Sequence, residues 1–181
     1  MILQIAQLGQ AVLRQKAADI PLEEIATPEF QRLLQDMQET LRSQKGAGLA
    51  GPQVFTSRRV FLAGVLSPST PDGPRGIEVF INPRFTAASA ETDWSWEGCL
   101  SFPELLVLVQ RHQAVRIEYL NAQGEERSLE LADFPARVVQ HETDHLDGIL
   151  TIDRAPSTRH IIKASEIDAV LAEECKQSPM R

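Results

Sequence analysis

The chain has 181 residues, which fits one domain (residues 1–181) and leaves little room for a second. Hydrophobic residues make up 43% and charged residues 24%, a composition that argues against disorder and allows a real core. The formal net charge of −7 argues against general or sequence-specific nucleic-acid binding by charge neutralisation. Two cysteines, Cys99 and Cys175, are too few for a disulfide scaffold. The first residues lack the pattern of a signal or transit peptide, and no apolar stretch approaches membrane-spanning length. The expectation is a cytoplasmic protein with reduced thiols and no membrane contact.

Thr27 suits a helix N-cap, and Pro28 suits the first helical position, where its missing N–H has no partner anyway. Phe30, Leu33, Leu34, Met37 and Leu41 follow at helical spacing on one face, and Gly46 is the expected stop. Residues 60–65 read as a short buried-type strand. The Pro- and Gly-rich residues 67–76 read as a surface loop, and residues 77–81 as an alternating strand that ends at Asn82-Pro83. Val115, Ile117 and Tyr119 alternate with Arg116 and Glu118, giving one buried and one wet face. Residues 121–124 form a turn, and 128–131 return as the partner strand. A helix is expected from near Asp133 or Phe134 through Val138, His141 and His145 to Gly148, with Pro135 tolerated only in its first turn. A last helix spans about residues 159–175, carried by Ile161, Ile162, Ile167, Val170 and Leu171. Strands and helices do not alternate regularly, which favours an α+β fold over a doubly wound parallel sheet.

The strongest chemical signal is His141-Glu142-Thr143-Asp144-His145. Two histidines four residues apart lie one turn above each other on a helix and can converge on one metal ion. The glutamate beside the first can act as general base toward a water. The pattern leaves the third ligand open. Downstream candidates are Asp147, Asp153, His160 and Glu166, and His160 lacks the Gly turn of the extended HExxHxxGxxH pattern. Upstream, Cys99 is followed by residues that break helix and strand, which reads as an exposed loop or strand end. A thiolate beside two imidazoles is a sound divalent-metal shell. Taken alone, Cys99 reads as a small buried hydrophobe. A third segment, Gly46 to Gln53, packs three glycines into six residues and lets the backbone approach a ligand closely. It lacks the Lys and Ser or Thr of a phosphate loop. Gln53 either donates to a developing oxyanion or sits exposed on a plain turn.

Together these segments resemble the peptide deformylase family, which removes the N-formyl group from nascent polypeptides. The family shows GxGLAAxQ, EGCLS and QHExDHL. Here they read Gly46 to Gln53, Glu97 to Ser101 and Gln140 to Leu146, in the same order and at comparable spacing. The resemblance covers about residues 1 to 155. It implies antiparallel sheets packed around a central helix that carries the HExxH motif. It also implies one divalent metal on Cys99, His141 and His145, natively Fe(II), with zinc or nickel able to occupy the site. Glu142 is then the general base, Gln53 and the Leu100 backbone N–H are the oxyanion donors, and N-formyl-methionyl peptides are the substrates. Ala47, Gly48, Phe134 and Val138 are the candidate substrate-binding residues. Trp94 and Trp96 lie close to the motifs, but each read singly is ordinary core.

Two positions depart from the family pattern. Gly51 replaces an alanine, which is expected only to loosen local packing. Leu106 stands where many members carry arginine, and it cannot make a charged contact to the peptide. Family members often approach the ribosome through the C-terminal region. Residues 154–181 carry a net charge of +1 against −8 for residues 1–153, which allows such a contact but favours a solvated helix face, with Cys175 a free thiol. Two other readings compete: an HExxH amidase or peptidase with a downstream ligand, and a non-catalytic relative with a closed structural metal. The retention of Glu142 and Gln53 weighs against the last.

Overall fold

The sequence punctuation sets the first elements. A single turn, α1 (Leu22–Ile25), precedes a long helix, α2 (Pro28–Gln44), in a computed structural model that describes residues 1–65 and 76–177. The Thr27 hydroxyl accepts from the Phe30 N–H at 3.3 Å, as its N-cap position requires. The stop is one residue earlier than expected. Lys45, not Gly46, takes the left-handed conformation at φ 52°. Its N–H donates to the Arg42 carbonyl, and the Gly46 N–H reaches back to the Leu41 carbonyl at 3.3 Å, a reciprocal Schellman ending. Gly46 instead sits close against two side chains: a Cβ there would lie 3.0 Å from Leu41 Cδ1 and 3.1 Å from Leu100 Cδ1, so both would have to give slightly.

The strands are β1 (Gly48–Ala50), β2 (Val60–Val65), β3 (Gly76–Ala88), β4 (Thr92–Gly98), β5 (Leu105–His112), β6 (Ala114–Leu120), β7 (Glu126–Ala132) and β8 (Ile161–Lys163). They pair antiparallel in two sheets, one ordered β1-β2-β3-β6-β7 and one ordered β4-β5-β8. The motif helix, α3 (Asp133–Leu146), packs its Ala136, Val139 and Leu146 on Phe61, Ala63, Phe80 and Ile117 of the larger sheet. Phe80 stacks on Phe61 with centroids 4.6 Å apart. Strand alternation turns Val60, Leu62, Val79 and Ile81 to the other face, where Phe30, Leu34, Met37 and Leu41 of α2 cover them. A third cluster joins Cys99, Phe102, Val107, Val109 and Leu150 beneath the smaller sheet. The fold is α+β, with antiparallel sheets around the HExxH helix.

Three local readings are corrected. The strand expected to stop at Asn82-Pro83 runs on to Ala88. It does so through a register shift between Ile81 and Arg84, with Asn82 at φ 50°, because a bulge removes the ladder bond that proline cannot make. The Asn82 side chain holds this bend by bonding both the N–H and the carbonyl of Ile20 at 2.9 and 2.8 Å. The single helix expected over 159–175 is broken. Ile161 and Ile162 extend as β8 along the free edge of β5, where Ile161 packs on the third cluster, short 3-10 turns flank it at Thr158–His160 and Ala164–Glu166, and only Ile167–Gln177 is α-helical (α4). Strands β1, β4 and β5 had no assignment from the sequence. The expected loop over residues 67–76 lies outside the described residues except for Gly76, which opens β3, and the side chain of Cys175 also lies outside them.

Candidate metal centre

Helix α3 starts where Asp133 takes φ 55° and its N–H donates to the Gln113 carbonyl at 2.8 Å, with Pro135 in the first turn as expected. Every residue from Ala136 to Leu146 is buried, so the polar residues of the motif enter the interior with it. Cys99 follows the last residue of β4 and is 7% exposed. Of the two settings expected for it, exposed loop or strand end, the structure has the strand end, but buried among Phe102, Val107, Val109 and Leu150, as the reading of Cys99 as a small buried side chain had it.

The candidate ligand atoms of Cys99, His141 and His145 all lie within 4.8 Å of one another. Cys99 Sγ is 3.3 Å from His145 Nε2. His141 Nδ1 is 3.0 Å from Glu97 Oε2, which leaves its Nε2 for the cluster. No carboxylate joins the three among the described residues, so the donor set is open in the way a catalytic site requires. Glu142 Oε2 is buried without a hydrogen-bond partner among the described residues and faces the same cleft. The donor types and their convergence fit a divalent ion. The downstream alternatives are engaged elsewhere. Asp147 pairs with Arg59 at 2.8 Å, Asp153 pairs with Arg14, Ser157 Oγ lies 3.0 Å from His160 Nδ1, and Glu166 accepts from Ser165 at 3.0 Å.

Gln53 is buried, not exposed on a turn. Its Oε1 accepts the Ala50 N–H at 2.8 Å, which fixes the amide so that Nε2 faces Ser101 Oγ at 3.2 Å and Cys99 Sγ at 3.6 Å. The Ser101 N–H also donates to Sγ at 3.5 Å. Two N–H groups therefore point at the sulfur.

Charges in the metal-free pocket follow from burial and contact. Burial pushes the Glu142 carboxyl up to about 7. Burial also works against a charge on Glu97, but hydrogen bonds from His141 and Arg111 outweigh it and hold its carboxyl well below the usual range. Burial opposes charging His141, and hydrogen bonds to Cys99 and Glu97 outweigh that and raise it. His145 is pushed down by burial and by the charges of His141 and Arg111, and a neutral imidazole is what a ligand must be.

The site opens into a cleft of about 370 Å³. Ala47, Gly48 and Gln53 form one wall, Trp96 and Leu100 another, and Phe134, Val138 and Glu142 line it from α3. A larger hollow of about 900 Å³ near Lys16, Arg84 and Glu118 holds none of the motif residues. Trp94 is 49% exposed, so the core reading fails for it. Trp96 lines the cleft instead of lying in the core. Leu106 lies opposite Gly98 and Ile162 in the smaller sheet. The motifs contained Glu97, Ser101 and Asp144 but gave them no role, and nothing pointed to Arg111. The residue spacing carries no sign of their pairing, which runs between elements.

An HExxH helix between antiparallel sheets, with two imidazoles and a cysteine sulfur converging at an open cleft, is the architecture of a metal-dependent hydrolase. The comparisons narrow the class. The family model described as polypeptide deformylase matches residues 2–160. Peptide deformylase 2 of a Nostoc species is 41% identical over 179 residues, covering 97% of this chain and 98% of its relative. The peptide deformylase of Thermotoga neapolitana is 40% identical over 161 residues, covering 88% and 92%. Among solved structures, a Met-Ala-Ser-bound class I type b peptide deformylase of Acinetobacter baumannii superposes with a TM-score of 0.78 at 36% identity, covering 85% of this chain and 98% of that one. The chain belongs to the polypeptide deformylase family, whose members are metal-dependent hydrolases that remove the N-terminal formyl group.

Proposed function

We propose that this chain hydrolyses N-formyl-methionyl peptides at a divalent ion held by Cys99, His141 and His145, natively Fe(II), with zinc or nickel able to replace it. The observation that carries the reading is the convergence of the three donors within 4.8 Å, in a cleft that also holds an unpartnered oxygen of Glu142. When bound, such an ion supplies Lewis acidity for the formyl oxygen and lowers the pKa of a coordinated water. Glu142 takes the proton of the attacking water and passes it to the departing amine, giving formate and a methionyl peptide. Gln53 Nε2 and the Leu100 backbone N–H donate to the oxygen that gains charge, and the Ala50 contact supports this by presenting the Gln53 amide in the donor orientation. Ala47, Gly48, Phe134 and Val138 bind the methionine side chain, an assignment supported by their place in the cleft lining.

Nascent peptides as substrates support a cytoplasmic placement, and among the described residues no helix is long and apolar enough to cross a membrane. A ribosome contact through the C-terminal helix gains little support, because its described exposed residues include Asp168 and Glu173.

The test is anaerobic purification with metal analysis and formyl-Met-Ala-Ser and acetyl-Met-Ala-Ser assays on one sample. One equivalent of iron with formate release from the formyl peptide alone is expected. Equal turnover of the acetyl peptide, or full activity after the metal is stripped, overturns the reading.

A further inference from the structure

We infer that Arg111 is a positioning residue for the metal centre, because its fork joins the strand that carries Cys99 to the helix that carries both histidines. The inference rests on the ligand assignment proposed above. Arg111 lies on β5, with its side chain 5% exposed. Its Nε and Nη2 each donate at 3.0 Å to the two carboxylate oxygens of Glu97, two residues before Cys99 on β4. Its Nη1 donates at 2.5 Å to Asp144, on α3 between His141 and His145.

Glu97 is the switchboard of this arrangement. Oε1 accepts from Arg111 Nε and, at 2.8 Å, from Arg137 Nη1. Oε2 accepts from Arg111 Nη2 and lies 3.0 Å from His141 Nδ1. An ionised carboxylate offers about four acceptor positions, and these contacts fill them. The plane of the carboxylate is therefore fixed, and with it the direction in which His141 Nδ1 is held. Two of the four contacts come from Arg111 in bidentate geometry, which sets orientation as well as distance.

The outer ends of the network are tied separately. Arg137 also reaches Asp93 at 2.8 Å, and Arg154 holds Asp144 at 2.6 and 3.1 Å. Three guanidiniums thus meet three carboxylates, so charge balances without help from His141. Among the described residues, Arg111 alone bridges Glu97 and Asp144. Arg137 still ties Glu97 to α3 when Arg111 is lost, so the elements stay together while the carboxylate becomes free to turn. The imidazole that it aims then loses its fixed approach to the metal.

The experiment uses the full chain loaded with cobalt, compared with Arg111→Lys, Arg111→Met and Cys99→Ala. Lysine keeps the charge but cannot reproduce the fork. Both Arg111 variants are expected to release cobalt to a chelator about 10–100-fold faster than the parent, the scale set by loss of a residue that orients a ligand. Their visible cobalt spectra are expected to shift, and kcat to fall with KM for formyl-Met-Ala-Ser within about twofold. Parent-like release and spectra in Arg111→Lys overturn the inference, as does a change confined to KM. If neither Arg111 variant accumulates as folded protein, Asp144→Ala, which removes the helix end of the fork together with the Arg154 pair, is compared with Arg154→Met, which removes that pair alone. Faster release in the first alone carries the inference, and equal release rates overturn it. Cys99→Ala separates the two layers. If it keeps cobalt as tightly as the parent, the ligand assignment itself fails, whereas loss of cobalt there with parent-like Arg111→Lys sinks only the positioning role.

Discussion

Gly48 and Glu142 compete for one volume. A Cβ built on Gly48 would lie 2.3 Å from Glu142 Oε1 and 2.6 Å from its Cδ, closer than real atoms approach. The first motif therefore makes room for the Glu142 side chain of the third, which explains why a glycine opens β1 at this point. Gly48→Ala should displace the carboxylate without touching a ligand. The expected outcome is a loss of about two to four orders of magnitude in kcat with metal content unchanged. Parent-like turnover in the alanine variant would separate Glu142 from the proton transfer.

Gln53 makes a sharper case for kinetics than for stability. Its oxygen is occupied by Ala50 and its nitrogen is presented to Ser101 and Cys99, so the two ends of the amide have different tasks. Gln53→Ala should lower kcat about 10²–10³-fold, the usual cost of one oxyanion donor, with a small change in KM. Steady-state kinetics on formyl-Met-Ala-Ser distinguishes this from a binding role, in which KM would rise and kcat would hold.

Gly51 departs from the family pattern, and the expectation that it merely loosens packing does not fit its surroundings. A Cβ there would lie 2.7 Å from the Arg58 carbonyl oxygen and 3.1 Å from that of Thr56. Backbone atoms cannot swing aside as a flexible side chain can. Gly51→Ala should therefore destabilise the protein by about 1–3 kcal/mol, the usual cost of overpacking. Urea unfolding measures this directly, and a midpoint equal to or above the parent's would show that the 51–58 turn yields cheaply.

Legibility in the sequence followed locality. The cap at Thr27, the apolar face of α2 and the alternation through Tyr119 are local signals, and the structure reproduces them. The convergence of Cys99, His141 and His145 was legible because the two histidines share one helix face and Cys99 sits in a specific motif. What failed depends on distant partners. Ile161 and Ile162 fit a helical stripe until the edge of β5 offers them a strand to pair with. Asn82-Pro83 reads as a stop until Ile20 supplies bonds that hold a bulge. From Ala136 to Leu146 the helix α3 is buried, and its charged residues carry no local sign of what pairs with them. Arg111 and Glu97, which satisfy them, lie more than thirty positions away in the chain.

The burial of Glu142 also predicts how the metal-free protein responds to pH. Its carboxyl, ordinarily near 4.5, is pushed up to about 7 in the fold. Between those values the folded state keeps a proton that the unfolded chain has released, so the folded state binds more protons and stability falls as pH rises. The contribution is complete below about 4.5, is lost progressively as pH rises to about 7, and changes no further above that. Glu142→Gln keeps a neutral side chain of the same shape at every pH and lacks this slope. Urea midpoints of the metal-free parent and variant, measured at pH 5 and pH 8, should therefore diverge, with the glutamine form gaining relative stability at the higher pH. Titrating groups that do not interact with Glu142 cancel in the difference; His141, whose charged form Glu142 favours, is coupled to it and titrates as part of the same pair. A difference that stays flat between the two pH values would mean that Glu142 is already ionised in the folded protein at pH 5.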